Sequence, residues 1–393
     1  MEFHFAGRMD MFQPGIFNIL DDKKKNMEKA GRKVYNLSIG TPDFQPEPHV
    51  MEALSSAAAI PENYKYALTE RPELLRAVQH WYERRYGVKL EQDEIMSVYG
   101  SQEGLTHIGL AVCDPGDVVL VPNPGYPIFE MGPFLCGAKI IHYDLLPENN
   151  YLPDLDAIPV EVASAAKMMV VSYPANPVCV TAPRSFYEKL IAFAEKYQIL
   201  ILHDNAYSDI IYDGREGISF LSIPGAKDVG IEYNSLSKTY NLTGARISFV
   251  LGNREVIRKF KTLRSQIDYG IFLPIQFAAV AALDGPQDSV ERNRAAYQAR
   301  RDALCGGFRS IGWNVPDSEG SMFVWAPLPE GYSDSAAFCF ELLERTGLLC
   351  TPGAAFGSLG EGYVRFALVQ PPEVMNEIVK AVESSGIIRK RCE

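Results

Sequence analysis

The chain has 393 residues, 47% hydrophobic and 22% charged, an ordinary balance for a soluble globular protein and a length too great for one simple core. Lysine and arginine number 38 against 49 aspartate and glutamate, and the net charge of −11 argues against nucleic acid as a general partner. The cysteines at 113, 136, 179, 305, 339, 350 and 392 are scattered and contain no Cys-x-x-Cys pair, so neither a metal site nor a disulfide framework is expected and a reducing cytoplasm fits.

The N-terminal segment lacks the basic-then-apolar layout of a signal peptide. No apolar run approaches the roughly 20 residues that span a bilayer, so a soluble, cytoplasmic protein without a membrane partner is expected. A lysine-rich helix is expected over 21–29 and a proline-rich segment over 41–49, and residues 1–47 read as an arm that packs on a small domain. From 48 to 283 the texture alternates. Short β-branched runs at 95–99, 117–121, 139–143, 168–173, 199–203, 229–233 and 247–251 are interleaved with amphipathic stretches at 102–112 and 184–197. This alternation predicts an α/β large domain: a mostly parallel seven-stranded sheet covered by helices. After 283, long charged helices at 289–310 and 334–345 surround apolar strands at 322–328 and 363–369, a smaller α+β domain over 284–393.

Lys238 lies in Ser235-Leu-Ser-Lys-Thr-Tyr-Asn-Leu-Thr-Gly-Ala-Arg246, where a loop between two buried strands is expected. A lysine amine becomes nucleophilic near neutral pH when burial or nearby positive charge lowers its pKa, and this segment offers both. Gly100-Ser-Gln-Glu-Gly104 follows a strand and opens a helix, so its backbone N–H groups and the helix dipole favour a phosphate; Ser101 also reads as an ordinary N-cap. Asp204, in His203-Asp-Asn-Ala-Tyr207, follows a strand at the usual ligand position of an open α/β sheet, or simply caps the strand end. Asn176 in Tyr173-Pro-Ala-Asn-Pro177 and Tyr126 in Pro122-Asn-Pro-Gly-Tyr-Pro127 read singly as turn residues. Arg365, in Gly362-Tyr-Val-Arg-Phe-Ala-Leu368, stands on a period-two apolar strand and needs an anionic partner there. Ser-x-x-Lys is also the pattern of an acyl-enzyme hydrolase with Ser235 as nucleophile, but no Lys-Thr-Gly or Ser-Asp-Asn accompanies it.

In this order, from about residue 38 to 368, the motifs resemble the aminotransferases of class I and II, fold type I pyridoxal phosphate enzymes. The stretches 197–213, 235–243 and 268–276 look most like the alanine and LL-diaminopimelate aminotransferases. The resemblance implies an aspartate-aminotransferase-like fold and pyridoxal 5'-phosphate held covalently by Lys238. It implies that Ser101, Gln102, Ser235 and Arg246 hold the phosphate, Asp204 faces the ring nitrogen, Asn176 and Tyr207 bond the phenolate oxygen, and Tyr126 stacks on the ring. Tyr66 is implied to cross a homodimer interface to the partner's phosphate. Arg365, Gly40 and Asn176 are implied to bind the substrate, and the turn Pro352-Gly-Ala-Ala-Phe-Gly357 is family-like.

The implied reaction is ping-pong transamination between an L-amino acid and a 2-oxo acid such as 2-oxoglutarate or pyruvate, with Lys238, Asp204 and Tyr207 as the catalytic residues. Departures from the family pattern lie on the substrate side: Arg71 for a glycine, Val178-Cys179 for Thr-Gly, Gly15 for a tyrosine, and Ala245 for the tryptophan of Gly-Trp-Arg. Gly15 and Ala245 enlarge or reshape the space near the substrate and favour a small or neutral amino acid over diaminopimelate, whereas Arg71 faces solvent or meets a distal carboxylate and Val178-Cys179 leaves Asn176 intact. A carbon–sulfur β-lyase or a cyclopropane-forming synthase on the same cofactor stays open. A cofactor-binding transcriptional regulator would need a DNA-binding domain, for which the short, non-basic N-terminus leaves no room.

Overall fold

In the computed structural model, which describes residues 1, 3–12 and 16–388, the β-branched runs of the middle region become one seven-stranded sheet. Counting from the short strand β1 (Tyr35–Asn36), the sheet contains β2 (Ile95–Val98), β3 (Val118–Asn123), β4 (Lys139–Asp144), β5 (Ala166–Ser172), β6 (Leu200–Asp204), β7 (Gly230–Ser235) and β8 (Ser248–Gly252). Their order is β2-β8-β7-β6-β5-β3-β4. β8 runs antiparallel to β2 and β7, and the other neighbouring pairs are parallel. Six strands therefore end at the same edge of the sheet, where β8 begins.

Helices cover the sheet, so its central strands read as apolar runs rather than as alternation. Val98, Leu105, Ile108, Phe129, Val170, Tyr233 and Phe260 belong to one buried cluster. Burying side chains of this size contributes about 1.5–3 kcal/mol each. The helices Ser101–Val112 and Ile128–Cys136 approach closely because both carry glycine at the contact. A Cβ on Gly109 would lie 2.8 Å from the Gly132 carbonyl oxygen, and one on Gly132 would lie 2.5 Å from that of Leu105.

The chain forms two compact units. The larger holds Thr41–Gln298 and Ser318–Met322, including the whole seven-stranded sheet. The smaller holds Met1–Gly40, Ala299–Asp317 and Phe323–Glu393. In it β9 (Phe323–Pro327), β11 (Thr351–Pro352) and β12 (Tyr363–Ala367) form an antiparallel sheet in the order β11-β12-β9, while β10 (Leu348–Leu349) pairs in parallel with β1. Leu20 and Met27 of the N-terminal helix pack on Leu343 and Leu349, which joins the N-terminal residues to this unit. Among the described residues no helix is long and apolar enough to cross a membrane. Gly15 and Cys392 lie outside the described residues.

Candidate active site

Sheet topology brings most of the expected residues to one edge. Asp204 is the last residue of β6, not the residue after it, and its register partners are Ser172 of β5 and Tyr233 of β7. Tyr207 follows in the next turn, and Asn176 and Tyr126 lie just beyond the ends of β5 and β3. Ser235 ends β7 opposite Ser248, the first residue of β8, and their hydroxyl oxygens are 2.8 Å apart. Arg246 immediately precedes β8, and Ser101 and Gln102 follow β2.

Lys238 sits on a helical turn, Leu236–Thr239, where a loop was expected. The reason is local capping. The Ser235 side chain accepts from the Ser237 N–H at 3.2 Å, and the Thr243 hydroxyl donates to the Ser237 carbonyl at 3.2 Å. Four residues capped at the first position wind up without any apolar periodicity to announce them.

The turn at 100–102 has the features of an anion site. The N-cap of the helix Ser101–Val112 is Gly100, not Ser101, and no side chain caps it. Ser101 Oγ is buried without a hydrogen-bond partner. Gly100 has φ 89°, and a Cβ there would lie 2.2 Å from Arg246 Nη2, so the close approach of the arginine depends on glycine. Arg246 is aimed by two carbonyls: Nη1 donates to Thr243 O at 2.9 Å and Nη2 to Tyr99 O at 3.3 Å. An exposed guanidinium, an unpartnered hydroxyl and an uncapped helix start together suit a phosphate. Gln102 is exposed at the same turn.

Asp204 is the second fitting feature. It is buried, its Oδ1 has no hydrogen-bond partner, and burial pushes its pKa up to about 6, although neighbouring His203 and the Ala206 N–H pull the other way. A carboxylate in that state suits a protonated ring nitrogen. Asn176 and Tyr207 are buried, whereas Tyr126 is half-buried with its ring edge-on to Phe129 at 6.0 Å. The residues present therefore fit pyridoxal phosphate at both its phosphate and its ring nitrogen.

Other expected residues lie elsewhere. Tyr66 is exposed, its ring 4.6 Å from that of Tyr269. Arg365 and Gly40 belong to the smaller unit. Arg365 is buried on β12, its guanidinium 3.9 Å from the centre of the Phe323 ring and 4.6 Å from that of Phe356, and its Nη2 donates to Ser38 O at 3.2 Å. A Cβ on Gly40 would meet Phe323 at 2.3 Å, so the same aromatic ring bears on both residues.

Two departures acquire a physical account. Cys179 takes the left-handed backbone, φ 61°, and its N–H donates to Ala175 O at 2.9 Å, so the turn after Asn176 keeps a shape that favours glycine despite the substitution. Arg71 is engaged within its own unit, lying over the Phe277 ring at 4.0 Å and 3.3 Å from Glu73.

Sequence reading missed the supports of this edge. Glu103, in the first turn of the phosphate-side helix, accepts from Arg264 Nη1 at 2.8 Å and from the Tyr99 N–H at 3.1 Å. Arg264 is itself clamped by both oxygens of Asp268 at 2.8 Å. The Arg264/Asp268 spacing of four residues was the available signal.

A model of the aminotransferase class I and II family matches residues 32–382. This chain belongs to that family. LL-diaminopimelate aminotransferase of Moorella thermoacetica is 42% identical over 377 residues, 95% of this chain and 96% of that one. The enzyme of the same name from Halothermothrix orenii is 41% identical and covers 97% of this chain and 98% of its own. Among solved structures, substrate-bound BacF from Bacillus subtilis superposes with a TM-score of 0.94 at 34% identity, covering all of both chains. Aspartate aminotransferase of Thermus thermophilus gives 0.91 at 25%, covering 98% of this chain and all of that one. The aminotransferase is thus a transferase of amino groups with an aspartate-aminotransferase-like fold, and its family uses pyridoxal phosphate.

Proposed function

We propose that this aminotransferase takes its amino group from a small or neutral L-amino acid, passes it to a 2-oxo acid such as 2-oxoglutarate or pyruvate, and works as a homodimer. The supporting observation for the chemistry is the buried, unpartnered Asp204 Oδ1 at the sheet edge that carries Lys238. When bound, pyridoxal phosphate supplies the electron sink for charge left on the substrate Cα. Asp204 gives the ring nitrogen its counter-charge. Lys238 Nζ would be the covalent anchor of that group and the base that takes the substrate Cα proton. Asn176 and Tyr207 orient the ring through its phenolate oxygen, and Tyr126 covers one face. Ser101, Gln102, Ser235 and Arg246 hold the phosphate. Arg365, with Gly40 and Asn176, takes the substrate α-carboxylate, for which a guanidinium backed by two aromatic rings is suited.

The small donor is supported by Ala245 in place of a tryptophan beside Arg246, and by the engagement of Arg71 with Glu73 and Phe277. A second reading, LL-diaminopimelate as donor, is favoured by the names of the 42% and 41% identical relatives. Visible spectra of the loaded enzyme decide between them. L-alanine, L-glutamate, L-aspartate and LL-diaminopimelate are added singly, and the donor is the one that bleaches the cofactor band. Release of pyruvate and ammonia from a cysteine-type substrate would instead identify a β-lyase. Lys238→Ala is expected to abolish turnover, a loss of at least about 1000-fold, with the fold intact by circular dichroism. Near wild-type turnover in that variant would overturn the assignment.

A further inference from the structure

The Lys238 turn is only four residues long, too short to hold its orientation by its own hydrogen bonds. What fixes it from outside is Asp209. Its Oδ2 accepts from the Thr239 hydroxyl at 2.9 Å, directly beside the lysine, and from the Ser208 hydroxyl at 3.2 Å. Its Oδ1 accepts from Arg85 Nε at 3.0 Å, and Arg85 Nη2 also reaches Ser208 O at 3.3 Å. On the other side of the turn, Asn234 Nδ2 donates to Ser208 Oγ at 3.3 Å. Thr239, Ser208, Asp209 and Asn234 are all buried.

The segment 204–209 thus does two things. Its first four residues include Asp204 and Tyr207, and its last two, Ser208 and Asp209, bond to Asn234 and Thr239 on either flank of the Lys238 turn. Asp209 is paired in this interior with Arg85, from the helix Pro72–Tyr86, at 3.0 Å. We propose that Asp209 is a positioning residue, which with Arg85 and Thr239 sets the reach of Lys238 Nζ relative to Asp204 and Tyr207. This rests on Lys238 being the covalent anchor. Misplacement of a reacting group by about 1 Å is costly, so the clamp matters for bond formation to the lysine rather than for phosphate binding.

The test uses two forms of the cofactor on the cofactor-free, full-length protein. Pyridoxal phosphate bonds to Lys238, whereas pyridoxamine phosphate fills the same site without that bond. Asp209→Asn is expected to weaken pyridoxal phosphate at least tenfold and to leave pyridoxamine phosphate within threefold. Thr239→Val, which removes only the hydroxyl, is expected to act in the same direction, and Thr239→Ser to match wild type. Combined with Asp209→Asn, Thr239→Val should add little, since both cut one link. Equal weakening of the two ligands by Asp209→Asn and Thr239→Val, or no effect on either, overturns the clamp. The anchor reading is checked separately by borohydride reduction of the wild type with pyridoxal phosphate and mass mapping. If Lys238 is not labelled, that reading fails and the clamp with it; if it is labelled, only the clamp is at stake.

Discussion

At the end of β6, Asp204 holds a carboxyl in the interior with one oxygen unpartnered, and the cost of that burial is written into its raised pKa. The shift, from 3.8 to about 6, gives a stability prediction for the cofactor-free protein. Because the folded state binds the proton more tightly than the unfolded chain, the contribution is fully present below pH 3.8 and is lost as pH rises through about 6. The size is about 3 kcal/mol, from roughly two pKa units. His203 and Glu232, the charged or titratable neighbours that bear on Asp204, differ in sign, the first lowering and the second raising its pKa. In register with each other on β6 and β7, they pair at 2.9 Å with both side chains fully buried. Comparing cofactor-free wild type with Asp204→Asn isolates the carboxyl. The wild type is expected to lose melting temperature relative to the variant between pH 4 and 7, and a constant difference across that range would show that Asp204 does not titrate there.

The helix Ser101–Val112 is held by an arginine from far along the chain. Arg264, buried at the end of the helix Arg254–Arg264, bonds Glu103 across 161 residues of sequence and is clamped by Asp268. Replacing it by methionine leaves the carboxylates of Glu103 and Asp268 without their shared cation, the first of them in the first turn of the helix proposed to meet the phosphate. Arg264→Met should therefore destabilise the protein by about 3 kcal/mol, the lower end for breaking a buried pair because both carboxylates keep some exposure to water. It should also weaken pyridoxal phosphate and pyridoxamine phosphate to the same degree. Urea unfolding and titration of both ligands check this, and unequal loss would separate Arg264 from the phosphate end. Such a tie shows where sequence reading stops. The central strands of the sheet were legible because they are apolar runs buried on both faces, and the half-exposed edge strand β4 because of its β-branched residues, while Asp204, Lys238 and Arg246 were placed along the chain by the resemblance. Strand order was not, since nothing in the residues of β8 states that it inserts antiparallel between β2 and β7. Nor was the Lys238 turn, which is set by one serine cap, or the Asp209 clamp, which joins residues 30 apart whose side chains meet only after the sheet has formed.

At the scale of the whole molecule, the larger unit exposes a platform of aromatic side chains to solvent. Tyr64 packs edge-on to Phe272 at 5.2 Å and Tyr66 lies tilted on Tyr269 at 4.6 Å, while Ala67 bridges to Gly270 and Leu68 stands 72% exposed beside them. Exposed apolar surface of this kind suits association, and a second copy is the occupant that the proposed homodimer and the implied role of Tyr66 call for. The platform is also tied through Tyr99 to the turn at 100–102 and to Arg246. Tyr99, whose carbonyl receives Arg246, donates its hydroxyl to the carbonyls of Tyr269 and Gly270 at 2.9 and 3.0 Å. Two variants therefore separate association from phosphate contact. Leu68→Asp places a charge in the platform and should convert the proposed dimer to monomer in sedimentation velocity, with cofactor affinity falling at least tenfold if, as proposed, Tyr66 completes the site of a second copy. Tyr66→Phe keeps the ring and should leave sedimentation unchanged, yet lower affinity for pyridoxamine phosphate about threefold to tenfold through the lost hydroxyl. If Leu68→Asp stays dimeric, the platform is not the interface; if Tyr66→Phe binds as wild type does, the tyrosine packs the interface without touching the phosphate.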